Sequence, residues 1–266
     1  MSIDIEHLHR VLLNMAKDLD KFCRENSIEY YLIGGSAIGA IRHKGFIPWD
    51  DDFDIAMTHD NYARFKELAP KKLKSEKYVL QVGGRDWSLL FTKIRLRGTI
   101  CQESENNFSY RNDCKGIYID IFPLDNVSDN PVMARWQYFC AKYRLCWTMS
   151  KRGYKSASLK KKILMLMSFP LNVKWLRDFV AYWTTAYNRK QTQNLGFFYS
   201  NTRWRNAIMN RAYYGTPLYV PFEDTKLPVP EQYDLYLKHL FGDYMKLPPV
   251  NERQGKHILY IDFGKY

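Results

Sequence analysis

Ile5, Leu8, Leu12, Met15, Leu19, Phe22 and Cys23 recur at three- and four-residue intervals, the spacing of one helix face, and predict an amphipathic helix over Asp4–Asn26. The apolar run at Glu29–Ile33 then predicts a strand, which Gly34-Gly35-Ser36 breaks before a short helix from Ala37 to about Arg42. Asp52-Phe53-Asp54-Ile55 alternates polar and apolar, as a half-buried strand does. A helix is expected from about Asn61 to Leu68, ended by Pro70, then strands over Tyr78–Val82 and Ser88–Gln102 about a Gly83-Gly84 turn. Gly116–Phe122 reads as an apolar strand interrupted by Asp120 alone. Helices follow over Pro131–Met149, Leu159–Met167 and Val173–Gln193, with Pro170 separating the last two. Pro217, Pro221, Pro228 and Pro230 then forbid long helices, leaving short extended pieces and turns before a helix over Glu231–Phe241. This alternation of elements predicts an α/β (α+β) fold.

The acidic strand carries the chemistry. Asp50, Asp51, Asp52 and Asp54 place four carboxylates in five positions, and like charges so dense oppose folding unless cations or solvent offset them. With a period of two, Asp52 and Asp54 project from one face and Asp50 continues it, while Phe53 and Ile55 enter the core; Asp51 should point away and meet only solvent. A lone Asp120 between Ile119 and Ile121 would be costly to desolvate as a core residue, so it is expected at a strand end facing a cation or donor. Asp125, after Pro123, reads as a turn or cap residue. Strand, glycine turn and helix N-terminus make a phosphate cradle from Gly34, Gly35 and Ser36, with Ser36 either capping the helix or donating to a phosphate oxygen. Two glycines alone mark only a tight turn; followed by Asp-x-Asp on a neighbouring strand they mark a site.

A Gly-Gly-Ser turn, an Asp-x-Asp strand and a later apolar-Asp-apolar strand form the pattern of the nucleotidyltransferase superfamily, here at Gly34–Ser36, Asp52–Ile55 and Ile119–Ile121. More narrowly, GGSAIGAIRHKGFIPWDDDFDIAM (34–57) resembles the signature of the LicD family, which includes the fukutin-related proteins. FTKIRLRGT (91–99), GIYIDIFPLD (116–125) and VPEQYDLYLKHLFGDYMKLPP (229–249) are similar to that family as well, and only about Pro131–Tyr214 matches poorly. The resemblance implies a nucleotidyltransferase-like core with a mixed, mostly antiparallel sheet flanked by helices. It also implies transfer of a phosphorylated alcohol, typically phosphocholine from CDP-choline and in some members glycerol or ribitol phosphate, onto a cell-surface glycan such as teichoic acid, lipopolysaccharide or capsule. Mg or Mn is the implied cofactor, with its ligands on Asp52, Asp54 and Asp120 and Asp50 as an addition; the first three are the implied catalytic set. The Arg42–Trp49 insert lengthens the interval between Ser36 and Asp52 beyond that of ordinary NTP-using enzymes, but is itself a family feature. An NTP-dependent nucleotidyltransferase and a non-enzymatic polyanion-binding module are the competing readings.

Charge changes the picture in the middle of the chain. Of the formal +12, Pro131–Gly215 contributes +15, with 16 Lys and Arg against Asp178, and the remainder contributes −3. The same segment is rich in Trp, Tyr and Phe, so it reads as helices with apolar faces and basic surfaces. An anionic membrane leaflet, a polyanionic glycan or the nucleotide donor would each satisfy such a surface, and ordinary core aromatics beneath a solvated basic face are the plain alternative. Nucleic acid is not expected, because no recognisable nucleic-acid motif accompanies the charge. Three regions follow: a catalytic core over 1–130, a basic helical insert over 131–215, and a C-terminal segment over 216–266 that packs on the core. The opening residues lack the layout of a secretory signal, no apolar run is long enough to span a bilayer, and five cysteines form no Cys-x-x-Cys pair. A cytoplasmic protein with reduced thiols, at most peripheral at a membrane, is expected.

Further candidates lie around the acids. Lys93 and Arg95 flank Ile94 on one strand face and would neutralise donor phosphates. Arg42 sits on the insert with the same potential, and Trp49, beside the acids, is a candidate contact for a choline cation. His257 has no chemical context in the sequence.

Overall fold

A computed structural model describes residues 3–103, 111–151, 158–200, 202–255 and 257–266, which include every candidate site residue. The strands are β1 (Tyr31–Leu32), β2 (Asp54–Thr58), β3 (Tyr78–Gln81), β4 (Thr92–Leu96), β5 (Ile100–Glu103), β6 (Tyr118–Val127), β7 (Asn194–Gly196), β8 (Ile208–Asn210), β9 (Leu218–Phe222), β10 (Thr225–Val229) and β11 (Ile258–Asp262). The helices are α1 (Ile5–Glu25), α2 (Gly34–Ile38), α3 (His59–Lys72), α4 (Pro131–Lys151), α5 (Leu159–Met167), α6 (Lys174–Thr185), α7 (Trp204–Ala207), α8 (Arg211–Tyr214) and α9 (Tyr233–Phe241).

The main sheet runs β1-β2-β6-β4-β3, with β7 continuing from the far half of β6 and β8 pairing β7. Only β2 and β6 are parallel; the other pairs in this sheet are antiparallel, so the expected mixed, mostly antiparallel α/β sheet is present. β6 is buried along all ten residues, because helices cover it and strands flank it on both sides. The stripe of α1 buries Leu8, Leu12, Met15, Leu19 and Phe22 in the core, each worth roughly 2 kcal/mol of transfer free energy. Asp4 caps this helix by accepting the His7 N–H.

Several boundaries moved for identifiable reasons. Pro70 lies inside α3 rather than after it, near the last turn, where it is exposed. There the carbonyl that loses its N–H partner can turn to water. Gly98, at φ +77°, turns the chain so that the expected long strand becomes β4 and β5, and β5 leaves the main sheet to pair with β11. The last predicted helix of the basic segment stops at Thr185 instead of Gln193. Asn188 holds the chain there, its side chain accepting the Asn126 N–H and donating to Asp125, so that β7 can lie along β6.

Two apolar clusters result. The large one draws on residues from Leu8 to Ile258 and surrounds β2 and β6. The small one, Cys140, Leu171 and Val180, joins α4, α6 and the turn between α5 and α6. Among the described residues, no helix is long and apolar enough to cross a membrane.

Candidate active site

Parallel pairing of β2 with β6 sets Asp54 opposite Asp120, and the Asp120 N–H donates to the Phe53 carbonyl at 3.0 Å. The alternation predicted for the acidic segment is real: Asp50, Asp52 and Asp54 are half-buried, while Asp51, Phe53 and Ile55 are buried. Three carboxylates therefore line one side of the chain, and Asp120 joins them from the neighbouring strand. Their ionisation shows the crowding. Burial, then the charges of Asp52 and Asp51, push Asp50 up to about 8. Asp54 is raised well above the carboxylate range by burial and then by Asp52, Asp120 and Asp50. Burial also raises Asp52, against the opposing charge of His257, and lifts Asp120 to about 6 against that of Lys93.

Lys93 is the cation built into this floor. Its Nζ lies 2.9 Å from Asp120 Oδ1 and 3.2 Å from Glu103 Oε2, and sits 3.3 Å above the centroid of the Tyr118 ring. Burial alone would raise Glu103, but Lys93 and Arg95 outweigh it and hold its carboxyl down at about 2. Lys93 and Arg95 do share a strand face, yet neither is spread for a phosphate. Arg95 is buried, its guanidinium donating to Gln81 Oε1, the Gly116 carbonyl and Glu103 Oε1 at 2.6–2.9 Å.

The glycine turn packs directly on the acids. Gly34 starts α2 at φ +56°, and its N–H donates to the Tyr236 hydroxyl of α9. A Cβ at Gly35 would stand 2.4 Å from Asp50 Oδ2, so a larger residue would displace that carboxylate. Ser36 does not cap the helix: Ile33 is the N-cap residue, and Ser36 Oγ accepts the Asp54 N–H at 2.9 Å, tying the turn to the strand.

Asp51 departs from expectation. It points away from its neighbours as predicted but is buried rather than solvated, and its Oδ2 accepts the backbone N–H groups of His257 and Ile258, each at 2.9 Å. This latch brings His257 Nε2 to 3.3 Å from Asp52 Oδ2. Nothing near His257 in sequence signals that contact, since its partner lies 205 positions away. From the other side His9 Nε2–H donates to the Asp50 carbonyl at 2.7 Å, while its ring stacks on Phe46. Asp125 is likewise no turn residue: it lies inside β6, buried, accepting from Asn188 and from the Tyr199 hydroxyl.

Beside the acids opens a cleft of about 610 Å³ whose lining includes Asp50, Trp49, Arg42, Tyr244, Glu252 and His257. Its volume suits a ligand of nucleotide size. Arg42 lines the cleft but gives Nη1 to the Tyr244 carbonyl at 2.7 Å, tying down the loop after α9. Trp49 is half-buried there, with the Arg253 guanidinium 5.3 Å from the ring centroid.

The donor set suits a hard divalent cation: carboxylate oxygens only, repelling one another, with Lys93 offsetting the charge of Asp120. Among the described residues, no three acidic, His or Cys groups are yet closed on a common point. Acids on two adjacent strands beneath a glycine turn, beside a nucleotide-sized cleft, define a nucleotidyltransferase-type domain. Residues 27–152 match the family described as LicD/FKTN/FKRP, nucleotidyltransferase domain. The chain is 30% identical over 261 residues, 93% of its own length and 94% of the relative's, to the lipopolysaccharide cholinephosphotransferase LicD of Haemophilus influenzae. Shorter similarities reach uncharacterized proteins of Rickettsia typhi (28% over 111 residues, 38% of this chain and 36% of that one) and Rickettsia prowazekii (35% over 60 residues, 23% of each). The protein belongs to the LicD family.

Proposed function

We propose that this protein is a transferase that moves phosphocholine from CDP-choline onto a hydroxyl of a cell-surface glycan. The observation that supports the reading is the pairing of Asp54 with Asp120 across β2 and β6, next to Asp50 in the lining of the cleft, in a chain that matches a cholinephosphotransferase along nearly its whole length. Asp52, Asp54 and Asp120, aided by Asp50, would hold Mg or Mn, which would supply Lewis-acid stabilisation of the charge developing on the phosphates. The cleft takes the nucleotide, and the backbone of the Gly34-Gly35 turn faces the phosphates. Asp120, held by the Lys93 ammonium, accepts the proton of the attacking hydroxyl. The acceptor oxygen then bonds to the choline-bearing phosphorus, the phosphoanhydride bond breaks, and CMP leaves with its electron pair. Lys93 keeps Asp120 oriented and limits the net negative charge that the donor must meet.

The test follows the label. With CDP-choline labelled in the choline methyl groups, Mg and a glycan acceptor, the label should enter the glycan in step with CMP release. Labelled nucleotide on the product with release of pyrophosphate from CTP would instead make the protein a nucleotidyltransferase. Transfer from CDP-glycerol or CDP-ribitol but not CDP-choline would keep the reaction and replace the alcohol.

A further inference from the structure

Exposed large apolar side chains are concentrated along α4, α5 and α6. Of 23 large hydrophobic residues exposed among the described residues, 13 lie between Val132 and Tyr182. α5 buries none of its nine residues. Leu166, Phe169 and Trp175 are 75, 71 and 70% exposed, values that ordinary surface apolar residues do not reach together. The aromatic rings form a connected layer: Trp136 stacks on Phe139 and meets Trp183 edge-on, and Phe179 and Tyr182 pack against Trp183 in turn.

The charge on the same helices selects the occupant. α4, α5 and α6 carry nine Lys and Arg against Asp178, whose carboxylate is already paired with Lys174. A second copy laid on this face would set two cationic surfaces together and be repelled. An anionic bilayer meets both requirements, since acyl chains take the apolar side chains and phosphate headgroups take the lysines. No helix among the described residues can span, so contact lies in the plane of the interface. We propose that α4–α6 seat the protein on an anionic phospholipid surface, with Leu166, Met167, Phe169 and Trp175 entering the headgroup boundary and Lys160, Lys161 and Lys162 lying on lipid phosphates.

Flotation of the full chain with vesicles of phosphatidylcholine alone, and of phosphatidylcholine mixed with phosphatidylglycerol, tests this. Binding should favour the mixed vesicles, weaken with salt, and shift tryptophan emission to the blue. Leu166→Glu and Trp175→Glu should each lower the partition constant about tenfold or more. The triple replacement of Lys160, Lys161 and Lys162 by Gln should lower it on the order of a hundredfold at low salt and flatten the salt dependence. Leu218→Glu, exposed on β9, should leave binding unchanged. Absence of vesicle binding, equal binding to both vesicles, insensitivity to these variants, or a dimer that Leu166→Glu dissociates without any vesicle binding would overturn the proposal.

Discussion

Around Asp54 and Asp120 this protein buries like charges inside its largest apolar cluster, while along α5 it leaves leucine and methionine in water. Both arrangements oppose folding by themselves, and each differs in what offsets it. At the acidic floor the chain supplies part of the compensation, through Lys93, His257 and the N–H groups that hold Asp51 in place. On the basic helices, packing rests on the cluster of Cys140, Leu171 and Val180 and on Ala134 and Ala141 of α4 in the large cluster, and the exposed face has no counterpart among the described residues. One region is thus offset from within the chain, and the other presents an apolar surface that the described residues leave uncovered.

Asp54→Asn should give the largest effect. CMP release should fall at least about a thousandfold, by the scale of a lost transition-state contact. Thermal unfolding should hold steady or rise, because a repelling charge leaves the core; a destabilised, inactive protein would recast Asp54 as structural. Lys93→Met comes next, since it leaves Asp120 without its cation and Glu103 with Arg95 alone. Denaturant titration should show a loss of about 3–5 kcal/mol, and Asp120→Asn in the same background should recover part of it.

Acidity separates the two partners of Lys93. Asp50 and Asp120 have folded-state values raised to about 8 and about 6, so stability from them is full below pH 4 and is lost as pH rises through those values. Glu103 is held down at about 2 and works the other way, its contribution lost as pH falls toward 2. Without divalent ions, melting temperature should therefore decline from pH 4 to pH 8, and added Mg should flatten the decline. A profile unaffected by Mg would count against the acids as its ligands.

Asp51→Ala removes the acceptor of two backbone N–H groups, that of Ile258 buried, and should cost about 1–3 kcal/mol. By freeing His257 from Asp52 it should lower transfer activity by more than stability alone explains, which comparison of kcat at a temperature well below unfolding would reveal. The smallest effect belongs to the other region. Leu166→Glu should alter stability by less than about 0.5 kcal/mol, because Leu166 is 75% exposed; a large loss would mean that this face is packed in the free protein.

What could be read from local pattern was read well. The stripe from Ile5 to Cys23 gives α1, the alternation at Asp50–Ile55 separates buried from half-buried positions, and a single acid in an apolar run marks Asp120. Errors fell where a distant partner outweighed local preference. Asn188 ends α6 for the sake of Asp125 and Asn126, and Gly98 releases β5 to a strand near the C-terminus. Arg95 resembled a phosphate ligand only because Glu103 and Gln81 were invisible as its partners.

Sequence alone determined which residue types would meet: period and spacing fix the face on which a side chain emerges, so the acids, the glycine turn and the basic helices were legible as local patterns. Only the tertiary structure decided that Asp51 turns inward to fasten His257 beside Asp52, that Lys93 lies on Asp120, and that the apolar sides of α4–α6 face outward. Those outcomes depend on contacts between segments tens to hundreds of residues apart, and whether a charge is paired or an apolar face covered is set by what the folded chain brings against it.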